Sequence, residues 1–133
     1  MPGPRISRST WTAPVRLLIG TKFGYQVLWD WTADPEAYPD LKQKIKTWNT
    51  SGIHFLGYIN TFLKEGTPLF DEAAQKGYLV KDSKGKPYLI ESTTFKAGIF
   101  DLTNPDAYAW VKSLIKREMI GLGMSGWMAD FGE

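Results

Sequence analysis

The chain has 133 residues, 43% hydrophobic, 14% aromatic and 23% charged, a balance that suits one compact domain and excludes a disordered chain. Zero Cys removes disulfides, thiolate zinc sites and Cys nucleophiles, and a single His, His54, leaves no His-based metal cluster or Ser-His-Asp triad. No apolar run reaches the roughly 18 residues of a membrane-spanning helix, and a net charge of +2 is too weak to argue for a nucleic-acid partner, so none is expected; any chemistry is expected to come from carboxylates.

The chain opens on a basic stretch. Every charged residue before Asp30 is Arg or Lys: Arg5, Arg8, Arg16 and Lys22. Residues 1–22 read as a leader, disordered or a gene-model artefact, with a transit peptide as the alternative. Leu17-Leu18-Ile19 is too short for the apolar core of a signal peptide, and localisation is left open.

Tyr25-Gln-Val-Leu-Trp-Asp-Trp31 then reads as a strand, rich in β-branched and aromatic residues. Pro35 and Pro39 precede a helix over about 40–49, in which Leu41, Ile45 and Trp48 share one face and Lys42, Lys44 and Lys46 lie largely off it. Ser51-Gly52 ends it. Ile53 to Asn60 follows as a nearly all-apolar strand, expected to be buried on both faces in a parallel sheet. Next come a short helix near 69–75 and two short strands, 78–81 and 88–90, joined as a hairpin by the turn Asp82-Ser-Lys-Gly-Lys86. Ala97-Gly-Ile-Phe-Asp101 reads as a further barrel-type strand ending in a carboxylate. At Asn104-Pro105-Asp106 a helix begins, with Asn104 as cap, Pro105 at the favoured first position and Asp106 facing the positive helix end. Its apolar face holds Ala107, Trp110, Val111, Leu114, Ile115 and Ile120, with Lys112, Lys116 and Arg117 outward, and Gly121 and Gly123 stop it. Gly126 to Phe131 is the last buried strand.

This alternation predicts an α/β protein, either a doubly wound sheet or part of a (β/α)8 TIM barrel, with ligands at the C-terminal ends of the strands. Those ends carry Trp29-Asp30-Trp31, Asn60, Asp101 and Asp130, a polar and aromatic rim that suits a sugar: carboxylates and amides for hydroxyls, indoles for the apolar face. A complete barrel takes about 250 residues. This chain therefore reads as a partial barrel of about four strands with a β-hairpin insertion.

Trp127-Met-Ala-Asp-Phe-Gly-Glu133 closely resembles the nucleophile motif of glycoside hydrolase family 31. The likeness extends through Gly57-Tyr-Ile-Asn60, Glu72 to Asp82 and Asp101 to Trp110, in the family's order and spacing, and covers Phe23 to Glu133. It is nearer to the bacterial sulfoquinovosidase branch than to the digestive or lysosomal α-glucosidases. The resemblance implies the N-terminal part of a catalytic barrel over residues 23–133. It also implies retaining hydrolysis of terminal α-linked hexosides, with Asp130 as nucleophile and a second Asp, downstream of Glu133, as acid/base. No metal or organic cofactor is implied, and carbohydrate is the expected partner. Trp29, Asp30, Asn60, Asp101 and Glu133 are the candidate substrate contacts. Gln26 stands where sulfoquinovosidases carry an Arg for the sulfonate, their upstream Gln-Asp-Trp motif has no counterpart in residues 1–22, and Thr61 replaces a usual Pro. An α-glucoside and a sulfoquinovoside therefore both stay open as substrates. With the acid/base outside these residues, the polypeptide alone is expected to lack appreciable glycosidase activity.

Each candidate has a plainer reading. Asp101 either binds sugar or braces the helix that follows. Asp130 can be a strand-end cap, and Glu133 a frayed end. His54 and Trp31 are expected in the core, and the three helix lysines on a solvated face. The tripeptide Asp130-Phe131-Gly132 occurs in protein kinases, but no Gly-rich loop, paired Lys or His-Arg-Asp segment accompanies it. The rival function is a non-catalytic carbohydrate-binding or vestigial remnant of the same barrel.

Overall fold

The computed structural model describes residues 29, 31–33, 35–36, 38–92 and 94–130. The elements run α1 (Leu41–Thr50), β1 (Leu56–Ile59), β2 (Phe62–Lys64), α2 (Pro68–Lys76), β3 (Leu89–Glu91), β4 (Lys96–Ile99), α3 (Pro105–Glu118), a 3-10 turn (Ile120–Leu122) and β5 (Gly126–Ala129).

Local chemistry places the helices as the sequence predicts. Leu41 and Ile45, one turn apart, face inward from α1, while Lys42, Lys44 and Lys46 are exposed. Trp48 completes that face by stacking on Phe55 at 5.5 Å. Thr67 caps α2 by accepting from the Phe70 amide, and Pro68 takes the first helical position, where no amide donor is needed. Asn104 caps α3 through its side-chain oxygen, which accepts from the Asp106 amide at 2.9 Å. Ala107 and Leu114 are buried on α3, whereas Lys112, Lys116 and Arg117 are exposed. Ile120, expected on that apolar face, is 55% exposed because the helix ends at Glu118 and the 3-10 turn rotates it outward.

Two sheets form. β1 and β5 pair in parallel, Leu56 opposite Gly126 through Ile59 opposite Ala129, with the chain returning through α3 as a parallel crossover requires. β2, β4 and β3 make a separate antiparallel sheet with β4 at its centre. The turn at Asp82 is present, its Oδ1 accepting from the Lys84 and Lys86 amides, but the two strands expected to flank it do not form a ladder: residues 78–81 make isolated bridges, Leu79 to Phe100 and Lys81 to Pro87, and β3 pairs with β4.

One predicted barrel strand is thereby corrected. The run Ala97–Asp101 does not join the parallel strands; β4 pairs antiparallel with both β2 and β3. Its apolar character comes from packing beneath Leu79 and Phe70, which approach so closely that a Cβ at Gly98 would lie 2.9 Å from Leu79 Cδ1 and 3.0 Å from Phe70 Cε2. Of the strand expected over 25–31, only Trp29 and Trp31 are among the described residues. Residues 1–22 lie outside them.

The core has two lobes. Trp31, Leu63, Phe70, Leu79, Phe100 and Leu114 centre the first; Leu41, Ile45, Phe55, Met119 and Met124 form the second. Ile59 of β1 packs against both. β1 and β5 are not buried on both faces as expected. One face, with Phe55, Gly57 and Ile59, meets α3 and the methionines, whereas the other leaves Leu56 37% and Met128 58% exposed. His54, expected in the core, precedes the strand and is exposed, with Nδ1 3.2 Å from Ser125 Oγ. No helix among the described residues is long and apolar enough to cross a membrane.

Gly98→Ala is expected to destabilise the fold by about 1–3 kcal/mol, since the added methyl overpacks the Leu79–Phe70 contact; urea unfolding measures it. Asn104→Ala should cost about 1 kcal/mol through loss of the α3 cap, and Asn104→Asp should recover most of it in the same assay.

Candidate active site

Parallel pairing brings the C-terminal ends of β1 and β5 to the same edge, so Asn60 and Asp130, the first residues past each strand, lie side by side. The ladder extends one step beyond β5, where the Asp130 amide donates to the Ile59 carbonyl at 3.0 Å. That bond fixes the Asp130 backbone. Alternation along the strands then puts Tyr58, Asn60, Met128 and Asp130 on the face away from α3.

On that face the Tyr58 hydroxyl donates to Asp130 Oδ2 at 2.8 Å. Burial pushes the Tyr58 phenol up to about 12, assisted by its bond to the Asp130 carboxylate and the charge there, and opposed by a side-chain hydrogen bond with Asn60. A phenoxide beside a carboxylate would place two negative charges together in a partly desolvated spot. Asn60 is the one buried polar residue among the described residues, 7% exposed, and its Oδ1 accepts from the Phe62 amide at 3.0 Å. The corner that leads into β2 is thus tied to the amide that stands beside Asp130.

Aromatic residues flank this corner. The Trp29 carbonyl accepts from the Lys64 amide at 2.7 Å, and its ring stacks on Phe62 at 4.7 Å and meets the edge of Phe95 at 5.2 Å. Trp31 is buried, as expected. Its Nε1 donates to the Phe62 carbonyl at 2.9 Å, its ring packs edge-on to Phe100, and its backbone holds a φ of 61°, costly for a bulky residue. Those contacts retain it.

A groove of about 420 Å³ runs along the opposite face of the strand pair, between Ile59, Trp127 and Ala129 of the sheet and Val111 and Ile115 of α3. Asn60 and Asp130 border it only where the strands end. Its apolar walls offer little to a polyhydroxylated sugar, and the polar cluster centres on the other face.

The structure therefore brings Asn60 and Asp130 together and sets Trp29 at the adjoining corner. Asp101 follows β4 in the antiparallel sheet, where its Oδ1 accepts from the Thr103 amide at 3.1 Å and hydroxyl at 2.6 Å, bracing the turn into Asn104. Asp30 and Glu133 lie outside the described residues, as does Gln26. Tyr58 is the residue that sequence reasoning passed over. Its signal was the two-residue spacing to Asn60 within Gly57-Tyr-Ile-Asn60, which puts both side chains on one face.

The raised Tyr58 ionisation carries a pH dependence. A group whose folded pKa lies above its unfolded value adds stability that is fully present below pH 10 and is lost as pH rises through about 12. The stability difference between the unsubstituted chain and Tyr58→Phe, measured by urea unfolding, should hold steady below pH 10 and shrink between there and about pH 12.

The family described as glycosyl hydrolases family 31 TIM-barrel domain matches residues 12–133. The sulfoquinovosidase of Escherichia coli is 53% identical over 113 residues, covering 85% of this chain and 17% of that protein. The sulfoquinovosidase of Agrobacterium fabrum is 45% identical over 114 residues, again 85% of this chain and 17% of its relative. Among solved structures, a family 31 sulfoquinovosidase from E. rectale, in complex with an aza-sugar inhibitor, superposes with a TM-score of 0.78 at 47% identity, covering 85% of this chain and 17% of that one. The chain spans about one-sixth of the length of these relatives. A strand-end Asp on the parallel ladder, the fold around it and the match from residue 12 onward converge: the chain belongs to glycoside hydrolase family 31, within its TIM-barrel domain.

Proposed function

We propose that this chain is part of a retaining α-glycoside hydrolase acting on terminal α-linked hexosides, an α-glucoside or a sulfoquinovoside, with Asp130 as the nucleophile. The observation that carries the reading is the position of Asp130, which follows β5 directly, held by the parallel ladder beside Asn60 and by the Tyr58 hydroxyl. Sulfoquinovosidases 53% and 45% identical to the chain support the substrate class.

In the proposed reaction Asp130 attacks the anomeric carbon while a second carboxyl, contributed from outside these residues, protonates the departing oxygen. A glycosyl ester forms with inversion. Water, deprotonated by the same second carboxylate, then displaces Asp130 with a second inversion, so the configuration is retained. Trp29, Asp30 and Asn60 are the proposed sugar contacts, the indole for an apolar face and the amide and carboxylate for hydroxyls. Glu133 joins them as a further candidate. Asp101, already engaged by Thr103, is assigned the bracing role.

In the whole protein bearing this sequence, Asp130→Asn should lower turnover of 4-nitrophenyl α-glucoside or α-sulfoquinovoside by roughly four to six orders of magnitude. A 5-fluoro-α-glycosyl fluoride, whose leaving group needs no acid, should label the peptide containing Asp130 by mass spectrometry. Full activity in Asp130→Asn, or a label on another carboxylate, overturns the assignment. Saturable monosaccharide binding without turnover in the unsubstituted protein would favour a carbohydrate-binding remnant.

A further inference from the structure

We infer that Tyr58 positions Asp130 and assists its departure from the glycosyl-enzyme, an inference that rests on Asp130 being the nucleophile. Tyr58 and Asp130 stand on neighbouring parallel strands with side chains on one face, and the hydroxyl reaches Oδ2 at 2.8 Å. Both ends of the contact are anchored. Tyr58 is held by the β1–β5 ladder, and the Asp130 backbone by its bond to the Ile59 carbonyl. Asn60 lies two residues along on the same face, its own Oδ1 tied to the Phe62 amide, so the group beside Tyr58 is itself oriented.

A donor on Oδ2 limits rotation of the carboxylate about Cβ–Cγ and presents Oδ1 to the anomeric carbon, the alignment on which an attacking group depends. Its energetic effect differs between the two steps. In the first, Asp130 gives up negative charge as the ester forms, so the hydrogen bond weakens and that loss offsets what alignment contributes to attack, leaving this step nearly unchanged. In the second, the water oxygen bonds to the anomeric carbon and its proton passes to the second carboxylate. The bond between that carbon and Oδ1 breaks, with its electron pair returning to Asp130. Charge grows on the carboxylate, and the Tyr58 hydrogen bond strengthens as it grows. Tyr58 therefore accelerates deglycosylation more than glycosylation. The phenol keeps its proton throughout, because its ionisation lies far above neutral pH.

The test uses the whole protein with whichever of 4-nitrophenyl α-glucoside and 4-nitrophenyl α-sulfoquinovoside it turns over, followed in the steady state and by rapid mixing. In Tyr58→Phe, kcat is expected to fall by about tenfold or more, the scale of one charge-assisted hydrogen bond. KM should fall in parallel, kcat/KM should stay within about twofold, and a near-stoichiometric burst of nitrophenol should precede the slow phase. An unchanged kcat overturns the inference, as does a reduced kcat with KM unchanged or raised and no burst. If Asp130→Asn retains turnover, the nucleophile assignment fails instead, and the inference falls with it. Should Tyr58→Phe not fold, ionisation of Tyr58 followed by NMR of ¹³C-labelled tyrosine tests the contact without altering that residue. It should lie at about 12 in the unsubstituted protein and move toward 10 in Asp130→Asn; an ionisation that Asp130→Asn leaves unmoved overturns the inference.

Discussion

The hydrogen-bonded pairing of β1 with β5 is the constraint on which the candidate site depends. Parallel strands cannot be joined by a tight turn, so their register is set by whatever packs the crossover onto them. Here that element is α3 with the turn behind it. Leu114 enters one lobe of the core, Met119 enters the other, and Ile59 of β1 touches both. Burying these side chains is the main energetic term holding the two strands together. A slip of one residue would turn Asp130 from the Tyr58 face to the face that meets α3.

The excursion between β1 and α3 has its own small sheet and a shared core. β2 follows β1 immediately through the Asn60 corner, and the amide of Phe62 is satisfied by Asn60 itself. The carbonyl of the same Phe62 accepts from the Trp31 indole, and its ring carries Trp29. One residue thus links the polar corner, the buried indole and the half-buried one. The exposed pair of Lys76 with Glu72 adds little by comparison, since both side chains are well hydrated. Glu72 still has a fixed place: Lys76 first, then the Trp110 indole, hold its carboxyl below the usual range.

Much of this was legible along the chain because it depends on neighbours in sequence. The cap at Asn104, the proline start at Pro105, the turn at Asp82 and the lysine face of α1 all follow from contacts within about four residues. The carboxylate at the end of the last strand was legible too, through a motif that family 31 shares. Three readings failed for one reason. Apolar company alone places Ala97–Asp101 among the barrel strands, His54 in the core and Ile120 on the apolar face of α3. Apolarity says that a residue wants cover, without saying which element supplies it or on which side.

Tyr58 marks the boundary between the two kinds of information. Its place on the face of Asn60 was implicit in a two-residue spacing. That its hydroxyl meets Asp130 depended on a register between strands 70 residues apart, set by the packing of α3. The sequence by itself determined the three helices, the Asn104 cap and the family, since each rests on local geometry or a contiguous motif. Tertiary structure alone decided which strands pair, which face Asp130 occupies and what holds its carboxylate, because those depend on cover and register between segments distant along the chain.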